Sequence, residues 1–148
     1  MYPIPQNAFI AKVLVPVLYG CEQKSAIHAA HSIAGDENIL LTGFIYVPEG
    51  QSLSTAAVDA RKLRQTLKQL YKVKRGDKWA QVNVSHNPWG ELINVVKRED
   101  IDLLLLEWPC HFDSLKVSVA EVLSQAPCNI AIVNQHIGLK IKNMLIPI

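Results

Sequence analysis

The residues with chemistry to offer gather after two apolar runs. Cys110 and His111 stand side by side after Asp102-Leu103-Leu104-Leu105-Leu106-Glu107-Trp108-Pro109, and Cys21 follows Lys12-Val13-Leu14-Val15-Pro16-Val17 by a few residues. A thiol near a helix N-terminus is activated, because the local positive field favours the thiolate. Two cysteines and a histidine also begin a zinc set, but a tetrahedral site needs a fourth ligand. Two unconnected thiols at a loop edge are the plainer reading. His28 and His31, spaced i and i+3, could share a helix face and a metal; ordinary surface or half-buried histidines explain them as well. His86, just before Asn87-Pro88, is placed to cap the next helix or to bond within its loop. No Gly-x-Ser-x-Gly elbow, Cys-x-x-Cys pair or P-loop occurs. Trp79, Trp89 and Trp108 follow no regular spacing that would make a stacking platform. A hydrolase or redox enzyme needs a nucleophile–base pair that is not visible. The expectation is therefore no enzyme, no metal and no cofactor.

The elements that must position these residues follow from periodicity. Four successive leucines with no polar alternation predict a strand over 102–106 that is buried on both faces. Lys12–Val17 predicts another such strand. Helical apolar spacing at Ala26, Ile27, Ala30 and Ile33 predicts a helix from Gly20 to Ala34, closed by Gly35. A strand is expected over Asn38–Val47, stopped by Pro48. Leu63, Leu67 and Leu70 on one face predict a long helix from Leu53 to Lys74. Trp79–Ser85 alternates as a strand. Pro88 suits the first turn of a helix over Trp89–Arg98. A helix over Ser114–Gln125 and a strand over Asn129–Val133 complete the order. Strict strand–helix alternation implies right-handed crossovers. The predicted class is α/β: a doubly wound, parallel five-stranded sheet with helices on both faces.

Composition bounds the function. The chain has 148 residues, 49% of them hydrophobic and 19% charged, so it fits one globular domain with a real core. Fifteen basic against thirteen acidic residues give a net charge of +2, no push toward nucleic acid or anionic membrane. The densest basic cluster, Lys68, Lys72, Lys74, Arg75 and Lys78, surrounds a helix end, where positive charge is favoured anyway; a partner surface is the other reading. Three cysteines are not a disulfide framework and suit a reducing cytosol. No signal peptide is visible, and no apolar run approaches the ~20 residues of a membrane helix.

Three segments carry a family resemblance: Lys12–Val17, the run Ile101–Leu106, and Ala126-Pro127-Cys128 leading into Asn129-Ile130-Ala131-Ile132-Val133. From about Lys12 to Val133 the chain resembles a universal stress protein domain. Val47-Pro48-Glu49-Gly50-Gln51-Ser52-Leu53-Ser54 and Leu104-Leu105-Leu106-Glu107-Trp108 resemble the subset attached, often in tandem, to membrane transporters. The tail Asn143-Met144-Leu145-Ile146-Pro147-Ile148 repeats the pattern of the first strand, with Pro16 and Pro147 lying 131 residues apart. A second copy is therefore expected to begin there. The organisation expected is an arm over 1–11, a domain over 12–135, and a linker with the first strand of a second repeat over 136–148.

The chain departs from the family where a nucleotide binds. Nucleotide-binding members carry an acidic residue just after the first strand; here Val17 is followed by Leu18, Tyr19 and Gly20. They carry G-x2-G-x9-G-[ST] after the fourth strand; here the first two glycines are Glu107 and Cys110. Aligned back from Ala126-Pro127-Cys128, the third glycine falls on Lys116 and the hydroxyl residue on Val117, in a shortened loop. Glu107 would oppose a triphosphate at a cost on the order of 4 kcal/mol for two like charges at 4 Å. Pro109 removes an N–H donor, and Trp108 is bulky for an anion cradle. Ser114, Lys116 and Ser118 offer an anion only weak contacts.

The resemblance then implies a cytoplasmic, non-enzymatic regulatory domain with a degenerate ATP loop, attached to a membrane transporter. It would act by association as a homodimer or tandem pair, through an edge strand at Asn129–Val133. Nucleic acid is not an expected partner. A second reading stays open: a nucleotide or small-ligand sensor with a rebuilt pocket at Leu18, Val47, Glu107, Lys116 and Ser118.

Overall fold

The computed structural model describes residues 12–18, 23–35, 38–70 and 80–134. The arm over 1–11 and the tail over 136–148 lie outside the described residues, as do Cys21 and Trp79. Five strands, β1 (Val13–Leu18), β2 (Ile39–Tyr46), β3 (Val82–Ser85), β4 (Leu103–Trp108) and β5 (Asn129–Asn134), form one sheet in the order β3-β2-β1-β4-β5. Every pairing is parallel. The helices are α1 (Lys24–Ala34), α2 (Ala57–Leu70), α3 (Pro88–Arg98), α4 (Cys110–Leu115) and α5 (Val119–Gln125). A short 3₁₀ turn, Leu53–Ala56, leads into α2. This is the doubly wound α/β sheet that the alternation predicts.

The near-continuous apolar strands are explained by the two cores they separate. On one face, Val13, Val15, Val17, Leu41, Ile45, Leu105, Ala131 and Val133 pack with Ala26, Ala29 and Ala30 of α1 and with Leu63 and Leu67 of α2. On the other, Leu14, Leu18, Phe44, Leu104, Leu106, Ile130 and Ile132 meet Trp89, Leu92, Val95 and Val96 of α3, Phe112 and Leu115 of α4, and Val122 of α5. Gly43 of β2 lets α2 approach closely: a Cβ there would stand 2.9 Å from Leu63 Cδ2 and 3.0 Å from Val82 Cγ2.

Several boundaries differ from the sequence expectation. The helix expected over 114–125 is two helices. Lys116 caps α4 in a left-handed conformation, φ 58° and ψ 45°, and Ser118 starts α5 afresh. The strand expected over 102–106 runs on to Trp108, so Glu107 and Trp108 are strand residues whose side chains leave opposite faces. Asn87, not His86, caps α3: its Oδ1 accepts from Gly90 N–H at 3.2 Å. Gly35 closes α1 with φ 77°, as expected of a helix-ending glycine.

Candidate functional site

In a doubly wound sheet the ligand crevice lies past the carboxyl ends of the strands, where the strand order reverses. Here that point falls between β1 and β4. A nucleotide phosphate at such a crevice would use the free N–H groups of a helix N-terminus. After β1 the chain enters α1, and after β4 it enters the short α4 and then α5. Side chains of the protein occupy the N-termini of α1 and α5, while that of α4 has no side-chain cap.

Glu107 occupies the first. It is 1% exposed, and its Oε1 accepts from Ala26 N–H, in the first turn of α1, at 3.1 Å. That turn contains no acidic residue of its own. Its cap residue, Gln23, is turned back toward the sheet, with Oε1 accepting from Leu18 N–H at 3.1 Å. An acceptor for that turn is thus supplied across the crevice by β4. A carboxylate at a helix N-terminus stabilises by about 0.3–1 kcal/mol when exposed and up to ~2 when partly buried.

Glu121 and Ser118 occupy the second. Ser118 Oγ accepts from Glu121 N–H at 3.1 Å, and Glu121 Oε1 accepts from Ser118 N–H at 3.2 Å. This reciprocal capping box satisfies two of the backbone donors at that helix start. Ser118 therefore has a structural task already. Lys116, aligned with the family's third glycine, does keep a glycine's backbone conformation. Its ammonium lies 5.4 Å from the centre of the exposed Tyr46 ring at the end of β2.

The five expected pocket residues stand as follows. Leu18, Val47 and Glu107 lie at the carboxyl ends of β1, β2 and β4. Val47 is packed into the α1/α2 core and Leu18 into the opposite core. Lys116 and Ser118 belong to the turn between α4 and α5. Trp108, 41% exposed, leans on Phe112 with ring centres 5.1 Å apart.

Sequence reasoning missed the role of His111. Pro16 has no N–H to donate to β4, and pairing between β1 and β4 is confined to Val13↔Leu103 and Leu14↔Leu104. Leu103 N–H donates to the Lys12 carbonyl. A parallel ladder repeats every two residues, so its later rung would join Glu107 N–H to the Pro16 carbonyl. Glu107 N–H instead donates to His111 Nδ1 at 2.7 Å. An accepting Nδ1 leaves the proton of a neutral ring on Nε2. The ring is fully buried. Burial holds its pKa down at about 3, against the opposing pull of the Pro16 carbonyl. That carbonyl favours the protonated ring, yet among the described residues no acceptor meets Nε2 in hydrogen-bonding geometry. The legible signal was a proline in a central strand.

The remaining candidates separate. Cys110 is disulfide-bonded, which corrects the reading of unconnected thiols; its partner sulfur lies outside the described residues. Cys128 is a free thiol at the opposite end of the sheet. It lines an open cleft of about 420 Å³ with Asp102 and Pro127, and burial pushes its pKa up to about 11. No group of three metal-ligating side chains occurs among the described residues. His28 is exposed on α1. His86 Nδ1 pairs with the Val47 carbonyl at 2.7 Å. Trp89 is buried and bonds from α3 to Gln125 Oε1 of α5 at 2.8 Å. No helix among the described residues is long and apolar enough to cross a membrane.

No family model and no curated protein matches the chain. Among solved structures, the crystal structure of a hypothetical protein, PH0823, matches with a TM-score of 0.52 at 18% identity, covering 84% of this chain and 95% of that one. The likeness is one of fold: a five-stranded parallel α/β sheet.

Proposed function

We propose that this chain is a non-enzymatic regulatory or interaction domain of the universal stress protein type, whose nucleotide site is filled by its own carboxylates. The observation that carries this reading is Glu107 on the N-terminus of α1, seconded by Glu121 on that of α5. An incoming phosphate would have to displace a buried carboxylate already hydrogen-bonded in its seat. The domain then acts by association, through a second copy or a tandem repeat, as the cytoplasmic portion of a membrane transporter. The free thiol at Cys128 weighs for that compartment. The disulfide at Cys110 weighs against it, because cytosolic disulfides are rare.

A ligand sensor is the second reading. It is favoured by Tyr46, Lys116 and Trp108, two exposed rings and a cation at the carboxyl end of the sheet.

Thermal unfolding with and without millimolar ATP, ADP, AMP and cyclic nucleotides separates the two. Ligand at ~100 times its Kd stabilises by about 2.7 kcal/mol, or roughly 8 °C in a domain of this size. The expected result is no shift with any nucleotide. A shift of several degrees overturns the filled-site reading and establishes the sensor.

A further inference from the structure

The charge of this chain is unevenly distributed. Eight of its fifteen basic residues and two of its thirteen acidic ones fall between Ala57 and Lys78, so that segment carries +6 and the rest of the chain −4. A helix end accounts for a cation or two in a last turn, not for cations along a whole helix. The described part of this segment is α2. It seats Leu63 and Leu67 in the core and turns Arg61, Lys62, Arg64 and Lys68 to solvent. Positions 61, 64 and 68 follow i, i+3, i+7 spacing and form one stripe along the helix. Arg61, Lys62 and Arg64 make no ion pair among the described residues. Its only acidic residue, Asp59, lies on the flank away from that stripe, at ~100° per residue.

Apolar side chains accompany the cations. Val58 is 54% exposed, and Leu53, in the turn leading into the helix, is 43% exposed. At ~100° per residue Val58 falls on the solvent face between Arg61 and Lys62. Cations beside projecting aliphatic groups match a lipid interface, where the charges meet anionic headgroups and the aliphatic groups enter the acyl boundary. Single-stranded nucleic acid would call for exposed rings to stack on, and the helix from Ala57 to Leu70 contains no aromatic residue.

We infer that the solvent face of α2 is a docking surface for an anionic membrane. The surface is independent of the filled crevice, which opens at the carboxyl ends of the strands, and of any covalent link to a transporter.

The test is co-sedimentation of the whole chain with vesicles. Phosphatidylcholine vesicles are compared with ones containing about 30% phosphatidylserine, at roughly 0.1 M and about 0.5 M salt, where screening is several-fold stronger. Binding is expected to the anionic vesicles alone, and to fall at least tenfold at the higher salt. The triple variant Arg61→Glu, Arg64→Glu, Lys68→Glu should lose at least tenfold in bound fraction while unfolding at a similar temperature. Val58→Ser should weaken binding without changing its salt dependence, and Lys97→Glu on α3 should leave it unchanged. Equal binding by the triple variant, or no binding by the native chain, overturns the inference. So does salt-sensitive binding of single-stranded RNA by a chain that ignores the vesicles, which would reassign the face to nucleic acid.

Discussion

His111 is where a single residue sets the chemistry of the crevice. Its ring accepts a backbone N–H and is neutral only while its surroundings stay dry. The folded-state pKa is depressed, from 6.5 to about 3, chiefly by burial. In that window the unfolded chain binds the proton and the folded chain does not. Stability is therefore fully present above pH 6.5 and is lost as pH falls toward 3. The slope is about 1.4 kcal/mol per pH unit, so about 2 kcal/mol should go between pH 6.5 and 5. Urea unfolding at a series of pH values should show this loss in the native chain, with a flatter profile in His111→Gln. That variant should itself be weaker at pH 7 by ~1–3 kcal/mol, the range for leaving a buried donor such as Glu107 N–H poorly met. Parallel pH profiles for the two proteins would remove the neutral buried ring from the account.

At the scale of the element, the turn between α4 and α5 decides what Ser118 is. As a cap it satisfies Glu121 N–H and takes part in a reciprocal pair. Ser118→Ala should then cost about 1 kcal/mol of stability, read as a drop in the melting temperature of roughly 3 °C. The loss should shrink when Glu121→Ala is already present, because the two side chains act as one unit. A full loss in both backgrounds would mean that the serine works alone. This turn also marks the limit of what periodicity could reveal. The central strands were legible because both faces are buried, which leaves long apolar runs with no alternation, whereas the half-buried β3 was legible from its alternation. The helix ends at Gly35 and Pro88 were legible because glycine permits the positive φ of 77° found there and proline fixes φ for a first helical turn. The break at Lys116 was not, since a lysine in a left-handed conformation carries no compositional mark; only its alignment with a family glycine pointed there. Glu107 was recognised as hostile to phosphate, but its partner, Ala26 N–H, is a backbone group on another element. Gly43 was equally silent, because its reason is the approach of Leu63 from a distant helix.

At the scale of the molecule, the sheet has two edges that differ in kind. The β3 edge is four residues long, and shortness alone blunts an edge against pairing. The β5 edge is six residues, Asn-Ile-Ala-Ile-Val-Asn, with no proline and no charge. No described strand pairs on its outer side. Its side chains are largely buried, so what it offers a partner is main chain, one row of N–H and C=O groups. A second copy related by a two-fold axis presents the same row and can satisfy both at once. The apolar side of α2 covers a sheet face, not this edge, so pairing at β5 would leave its basic face open to solvent. Multi-angle light scattering of the chain should therefore show a mass that doubles as concentration rises. The amides of Asn129–Asn134 should exchange more slowly over the same range, while those of β3 do not change. A constant monomer mass up to the highest soluble concentration, with β5 exchange unaltered, would rule out edge pairing as the way this domain associates. Doubling with β5 exchange unaltered would place the contact on another surface. Only the coincidence of mass and β5 protection ties the association to the strand that the topology leaves outermost.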